Sequence, residues 1–339
     1  MTRSRILGLA AVATLAVSLA ACSASPSEGS GGGDGTFPVT IEHVYGSTTI
    51  PAKPVRVATV AWSNHEVPLA LGIVPVGMSK ATWGDDDGDG VLPWVEDKLE
   101  ELDAKTPVLF DETEGIDFEA VADTKPDVIL ASYSGLTKEE YEKLSKIAPT
   151  VAYPKIAWGT SVQDMVKLNS EAIGLADEGE QLVSDLDQQV SDAFAKYPAL
   201  KDTSVVFSYI DPTDLSQIGF YTTHDTRPGF VESVGMTMPK VVADASAKTK
   251  EFYQTVSAEK ADEFADADIF VGYGDEKQLT AIQADPLLSK IPAVQKGAVA
   301  LLKDSTPLAA SANPSPLSIP WGVDEYFKLL NDAAVKAKG

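Results

Sequence analysis

Ala176-Asp-Glu-Gly-Glu-Gln-Leu-Val-Ser-Asp-Leu-Asp-Gln-Gln-Val-Ser-Asp-Ala-Phe-Ala-Lys-Tyr-Pro198 carries the longest helix signal in a chain otherwise built of short alternating strands and helices. Leu182, Leu186, Val190 and Phe194 recur every fourth residue as an apolar stripe, while Asp185, Asp187, Gln188 and Asp192 keep the opposite face wet. Asp177 with Glu180 has the spacing of a capping pair, and Pro198, which lacks a backbone donor, closes the far end. At the rise of an α-helix, about twenty residues span roughly 30 Å, the width of a small domain. The segment 177–197 is therefore expected to join two lobes, one over 37–176 and one over 198–339.

The N-terminus reads as an export signal. Arg3 and Arg5 precede an apolar run from Ile6 to Ala21, and Leu19-Ala20-Ala21-Cys22 resembles the lipobox at which a bacterial lipoprotein is cut and lipidated. Residues 1–21 are thus expected to be a signal peptide and Cys22, the one cysteine, the lipidated residue, so the fold carries no disulfide. Residues 22–36, with the run Ser23 to Gly35 rich in serine and glycine, read as a flexible tether lifting the domain from the membrane.

The chain has 27 basic and 50 acidic residues; removal of the signal takes two arginines and no acid, leaving a balance near −25. So acidic a surface excludes nucleic acid and adsorption to anionic lipid. Catalysis finds no support. There is no G-x-S-x-G elbow, and Ser257-Ala-Glu-Lys260 fits S-x-x-K without the S-D-N or K-T-G that should accompany it. His43, His65 and His224 lie far apart and match no zinc spacing.

Short apolar strands alternate with helices on both sides of the long helix. Before it come strands at Val55–Ala61, Val74–Met78, Val108–Phe110 and Asp127–Ala131; helices are read from Asn64 to Leu71, over Val91–Glu101, from Asp117, from Thr137 with Glu140 in a capping box, and over Ser161–Leu175. After it come strands at Ser204–Ile210, Gln217–Tyr221, Asp268–Tyr273 and Ala298–Leu302, with helices at Pro228–Val234, Ser257–Phe264 and Leu317–Val335. That alternation implies α/β lobes with mainly parallel sheets, and a ligand cleft past the strand ends.

In motif order the chain resembles the substrate-binding proteins of ABC importers for iron–siderophore complexes, haem and cobalamin. The resemblance is carried by Gly46-Ser-Thr-Thr-Ile-Pro-Ala-Lys-Pro-Val-Arg-Val57, Ala70-Leu-Gly-Ile-Val-Pro-Val-Gly77 and Asp117-Phe-Glu-Ala-Val-Ala-Asp-Thr-Lys-Pro-Asp-Val-Ile-Leu130. Tyr141 to Val151 and Asp285 to Gly297 look like the siderophore branch, and the likeness covers about Phe37 to Leu330. It implies two Rossmann-like lobes joined by a single long helix, the class III periplasmic-binding-protein fold, with little bending on ligand closure. It also implies a monomeric receptor, lipid-anchored on the extracytoplasmic face of the bacterial cell membrane, that hands a ferric siderophore to an ABC permease with its ATPase. Glu119 and Glu232 match the carboxylates that dock on the permease.

A siderophore already fills the coordination sphere of iron, so the expected site is an aromatic cleft with no metal ligand of its own. Residues just past strand ends supply the candidates: Trp62, Trp83, Tyr133, Tyr153 and Trp158 in the first lobe, Tyr221, Arg227, Phe252 and Tyr253 in the second. Tyr133 and Arg227 stand foremost. Arg56 and Arg227 are the only arginines left after signal removal, and Asp111, Glu112 and Glu114 fill the region where related hydroxamate binders carry an arginine. A neutral or weakly charged ferric hydroxamate is therefore favoured.

Other readings stay open. Asp85-Asp-Asp-Gly-Asp-Gly-Val-Leu-Pro-Trp-Val-Glu96 matches a calcium loop, with Asp85, Asp87, Asp89 and Glu96 at ligand places, although a strand precedes it and Pro93 stiffens it. The alternative is an acidic mobile loop at the cleft mouth carrying Trp83 and Trp94. A haem or cobalamin receptor of the same family would call on His65, His224 or Tyr133 as an axial haem ligand, and a lipoprotein that binds partners without transport is the third possibility.

Overall fold

The structure, a computed structural model, describes residues 36–339; the signal segment, Cys22 and the tether up to residue 35 lie outside the described residues. A hairpin opens it: β1 (Val39–His43) pairs antiparallel with β2 (Gly46–Ile50), burying Ile41 and Ile50 while Glu42 and Thr49 face outward. Next come β3 (Val57–Thr59), α1 (Glu66–Ala70), β4 (Gly77–Ser79), α2 (Pro93–Glu101), β5 (Val108–Phe110), α3 (Phe118–Asp123), β6 (Val128–Leu130), α4 (Lys138–Leu144), β7 (Thr150–Val151) and α5 (Val162–Ala172). The strands form one all-parallel sheet in the order β5-β4-β3-β6-β7. Its central strands are buried on both faces, which is why they read as unbroken apolar runs. Gly77 is needed where β4 passes the Phe110 ring, since a Cβ would collide with it.

Local signals hold unevenly. The Thr137–Glu140 capping box forms in full, and Asp117 caps α3 by accepting from the Ala120 N–H. Asn64 does not cap α1. It is fully buried instead, donating to the carbonyls of Val60 and Tyr133 (2.9 and 2.8 Å) and accepting from the Tyr133 N–H (3.1 Å), and so pins the loop after β3 to the loop after β6.

The long helix is α6 (Ala176–Ala195). It begins two residues earlier than the capping pattern requires, with Leu175 at its N-cap, so Asp177 and Glu180 make no cap. Asp177 and Glu178 lie in the first turn, where they face the positive end of the helix dipole. Its inner face is wider than the four-residue stripe: Gly179, Val183, Leu186, Val190 and Ala193 are buried and Leu182 and Phe194 half-buried. Gly179 lets α6 cross α5 closely, because a Cβ there would strike the Ser170 side chain.

The second lobe contains β8 (Val205–Tyr209), β9 (Gln217–Tyr221), α7 (Thr226–Ser233), α8 (Lys240–Lys248), β10 (Tyr253–Ser257), β11 (Ile269–Tyr273), α9 (Glu276–Ala284), α10 (Pro292–Gln295), β12 (Val299–Leu302), α11 (Pro307–Ser311) and α12 (Ser318–Lys338). Its sheet runs β10-β9-β8-β11-β12 and is mixed: β8, β11 and β12 are parallel, while β9 is antiparallel to both neighbours. The α-helix expected over Ser257–Phe264 is a 3-10 segment broken at Lys260, and α8, β10 and α9 escape the strand-and-helix reading altogether.

The lobes meet through more than one helix. Val67, Tyr133, Met165 and Val166 of the first lobe share a continuous apolar core with α6 and the second lobe, and Ala310 and Leu317 pack into the first lobe beside Leu69 and Trp94. Glu66, wholly buried on α1, accepts from the Trp94 indole (2.9 Å) and from the Leu317 N–H (3.0 Å) at the start of α12. Burial pushes its pKa up, opposed by those bonds and by Ser315 and Ser63. The rod is thus one of several ties.

Candidate functional site

Trp83, past the end of β4, meets Tyr273 at the end of β11, so these two strand ends lie beside one another, where ligands of open α/β folds bind. In the second lobe three strands end in tyrosine: Tyr209 on β8, Tyr221 on β9 and Tyr273 on β11. The rings of Tyr221 and Tyr273 form a wall with Phe207 and Tyr253. Tyr221 meets Tyr253 at 5.0 Å and Phe207 at 5.6 Å edge-to-face, and Phe207 meets Tyr273 at 5.6 Å. Gly219 makes the Tyr253 position possible, because a Cβ there would collide with the Tyr253 hydroxyl.

Arg227 lies on that wall, its guanidinium carbon 3.8 Å from the Tyr221 ring centroid and 5.5 Å from that of Phe207. Asp225, the N-cap of α7, grips it bidentately through Nε and Nη2, each at 2.7 Å, and Nη1 donates to the Tyr273 hydroxyl at 3.2 Å. Burial works against the charge, but the Asp225 carboxylate outweighs it and holds the Arg227 pKa well above its ordinary value. The charge is balanced inside the wall. Three of the five N–H donors are spent, leaving two for a ligand.

The wall of the first lobe carries Trp62, Trp83, Trp158 and Glu112. Trp62 and Trp158 each adjoin or occupy a positive-φ position, Ala61 at 60° and Trp158 itself at 59°. That turn sets the Trp158 indole over Gly135 and edge-on to Tyr133 at 5.5 Å. Trp83 reaches across to the other lobe, stacking edge-to-face on Tyr273 at 5.3 Å and donating to Asp304 at 3.3 Å. The half-buried Glu112 carboxylate accepts from the Ala61 N–H (3.0 Å) and the Ser79 hydroxyl (3.0 Å), at the ends of β3 and β4.

Tyr133 has a different place from the one expected. It is 5% exposed, and its hydroxyl is shared with Thr226 (3.3 Å) and the Asn313 amide (3.0 Å) of the second lobe, so it ties the lobes behind the aromatic walls. Tyr153 is also buried, but against Tyr45 on the hairpin side of the first lobe, with hydroxyls 3.1 Å apart; it leaves the site. Phe252 contributes its carbonyl to the Thr222 N–H, and its ring joins none of the wall contacts. Trp94 is core, bonded to Glu66 and packed on Trp321 at 5.1 Å, rather than part of a cleft-mouth loop.

The two candidate histidines differ. His224 Nε2 lies 3.0 Å from the Ser246 carbonyl and 2.8 Å from that of Thr249, which ties its loop to the end of α8 and occupies that nitrogen. His65 is 6% exposed, and burial drives its pKa down to about 4. In the acidic loop the carboxylates of Asp85, Asp87 and Asp89 come within 4.8 Å of one another. Asp85 accepts from the backbone N–H groups of Asp87, Gly88 and Gly90, so the acids organise the turn themselves. Burial and the Asp89 and Asp87 carboxylates raise the Glu96 pKa. Glu119, in the first turn of α3, and Glu232, on α7, are both exposed.

Tyr273, Tyr209, Asp225, Thr226, Asn313 and Glu112 were not among the candidate site residues. The rule that chose Tyr221, an aromatic closing a buried strand, applies equally to Tyr209 and Tyr273. Asn313 carries no such signal.

Known proteins match this architecture. The Streptococcus pneumoniae TIGR4 protein PiaA, solved in complex with ferrichrome, is 45% identical, covers 88% of this chain and 99% of its own, and superposes with a TM-score of 0.85. The probable siderophore-binding lipoprotein YfiY of Bacillus subtilis is 29% identical over 74% of this chain and 72% of its own length. The iron(3+)-hydroxamate-binding protein YxeB of the same species is 24% identical over 88% of both chains. The family model described as periplasmic binding protein matches residues 57–306, which span both walls of the cleft, and the chain belongs to that family.

Proposed function

We propose that this chain is a substrate-binding receptor that captures a ferric siderophore, a hydroxamate in preference to a catecholate, between its lobes and delivers it to an ABC permease. The observation that carries this reading is the pair of facing walls: indoles and tyrosines around an arginine whose charge Asp225 already balances. Such a surface suits a bulky, coordinatively saturated, nearly neutral complex, to which Arg227 offers hydrogen bonds rather than net charge. The ferrichrome complex of the 45% identical PiaA supports it. In this reading Trp62, Trp83, Trp158, Tyr221, Tyr253 and Arg227 touch the ligand.

Glu119 and Glu232 are read as the permease-docking carboxylates, one exposed on each lobe. Exposed ion pairs contribute little energy singly, so their part is register and recognition. Lipid anchoring at Cys22, an extracytoplasmic location and action as a monomer complete the proposal. No helix among the described residues is long and apolar enough to cross a membrane.

The test is quenching of tryptophan fluorescence as the lipid-free protein is titrated with ferric hydroxamates, ferric catecholates and haemin. Saturable quenching by the hydroxamates, weaker for the iron-free compounds, is expected from Trp62, Trp83 and Trp158. Quenching by haemin alone, with a shifted haem absorption band, would replace the siderophore with haem.

A further inference from the structure

We propose that Glu112 selects ligands by charge, favouring a ferric complex that turns a cationic group toward the first-lobe wall and rejecting polyanionic ones. This rests on the siderophore reading above and narrows it.

The position of Glu112 is built by the fold. β5 ends at Phe110, and the chain then brings Glu112 over the ends of β3 and β4, where it accepts from the Ala61 N–H and the Ser79 hydroxyl one residue from Trp62. A carboxylate has about four acceptor places, so two bonds leave capacity for a donor on a ligand. Other charges of the walls are accounted for. Arg227 is gripped by Asp225, and Lys80, beyond β4, lies 3.6 Å from Asp111. Among the described residues no cation pairs with Glu112. Asp304, the partner of Trp83, adds a further negative charge at the cleft. A chain of net charge −23 supplies no opposing field.

Glu112 also titrates where the effect can be read. Burial lifts its pKa to about 7 against the bonds from Ser79 and Ala61, and Glu140 of α4 lifts it further. The charged groups beside it are Glu140 of α4 and the Lys80–Asp111 pair, whose residues adjoin Ser79 and Glu112 in the chain. The free protein therefore carries an ionised Glu112 above about pH 7 and a neutral one below it.

The experiment uses a matched pair of ligands: a linear ferric trihydroxamate with a free terminal ammonium, and the same complex with that amine acetylated. Affinities are measured by fluorescence for the wild-type protein and for Glu112→Gln, at pH 6.0 and 8.5, with a ferric tricatecholate as the polyanionic probe. At an effective dielectric near 20, a charge about 12 Å away predicts a cationic-over-neutral preference of about tenfold at pH 8.5. That preference should shrink toward unity at pH 6.0 and be small and independent of pH in Glu112→Gln. A preference that survives the substitution, one that ignores pH in the wild type, or tricatecholate binding as tight as that of the cationic complex would each overturn the assignment. Failure of the acetylated neutral complex to bind the wild type at all would instead sink the siderophore reading and this inference with it.

Discussion

The two walls of the cleft solve the same problem with different electrostatics. The second lobe holds a full ion pair, Arg227 with Asp225, inside a layer of tyrosines, and its charge cancels within the wall. The first lobe holds indoles and a carboxyl, Glu112, with hydrogen bonds but no cation. A wall can therefore contain a strong charge and remain neutral to a ligand, while a wall with one partly desolvated acid need not. What matters is whether the partner is in the protein or must come with the ligand.

Uptake should show the largest effect, and there the lobes are expected to be equals. Replacing Glu119 and Glu232 together by alanine should abolish ferric-siderophore uptake by cells while leaving the dissociation constant of the purified protein unchanged; lost ligand binding would assign these residues to the cleft.

Stability comes next and separates the walls. Arg227→Ala strands Asp225, which is 2% exposed, without its partner, and the expected cost is about 3–5 kcal/mol in urea denaturation. A cost under about 1 kcal/mol would mean that the pair is not buried as described.

The acid of the first wall should act in the opposite sense. Its raised pKa means that the folded protein binds the proton more tightly than the unfolded chain, so the contribution of Glu112 is fully present below its unfolded pKa near 4.5 and is lost as the pH rises toward about 7. Between pH 5 and pH 8 this should lower stability by on the order of 2 kcal/mol, a slope that Glu112→Gln should remove. A stability profile identical in the two proteins would place the carboxyl in water.

The smallest expected change is a control outside both walls. Tyr153→Phe loses one hydroxyl contact with Tyr45, worth about 1 kcal/mol, and should leave ligand affinity untouched. A tenfold weaker ligand would return Tyr153 to the site.

Much of the fold was legible because burial patterns are local. Four of the five parallel strands of the first lobe, the Thr137 capping box and the helix near 176–195 all follow from periodicity and turn chemistry; β7, two residues long, does not. The motif-level resemblance pointed to the family that the chain belongs to. Four of the five strands of the second-lobe sheet were read and one was missed: β10 is an edge strand without a buried face, its residues mostly half-exposed, so Tyr253–Ser257 shows little apolar alternation. Of the aromatics past strand ends, Trp83 meets Tyr273 of the second lobe and Trp158 meets Tyr133, whereas the ring of Tyr153 turns to the hairpin.

By itself the sequence determined two α/β lobes, a long connecting helix, an acidic and arginine-poor surface, and the aromatic and carboxylate side chains available to a cleft. Those properties depend on neighbours a few residues away or on composition. Only the tertiary structure decided that Arg227 is already neutralised, that Tyr133 ties the lobes through Asn313, and that Glu66 of α1 meets the first turn of α12. Each of these joins residues distant in the chain, and desolvation, which raises the pKa of Glu112, exists only once the lobes have packed.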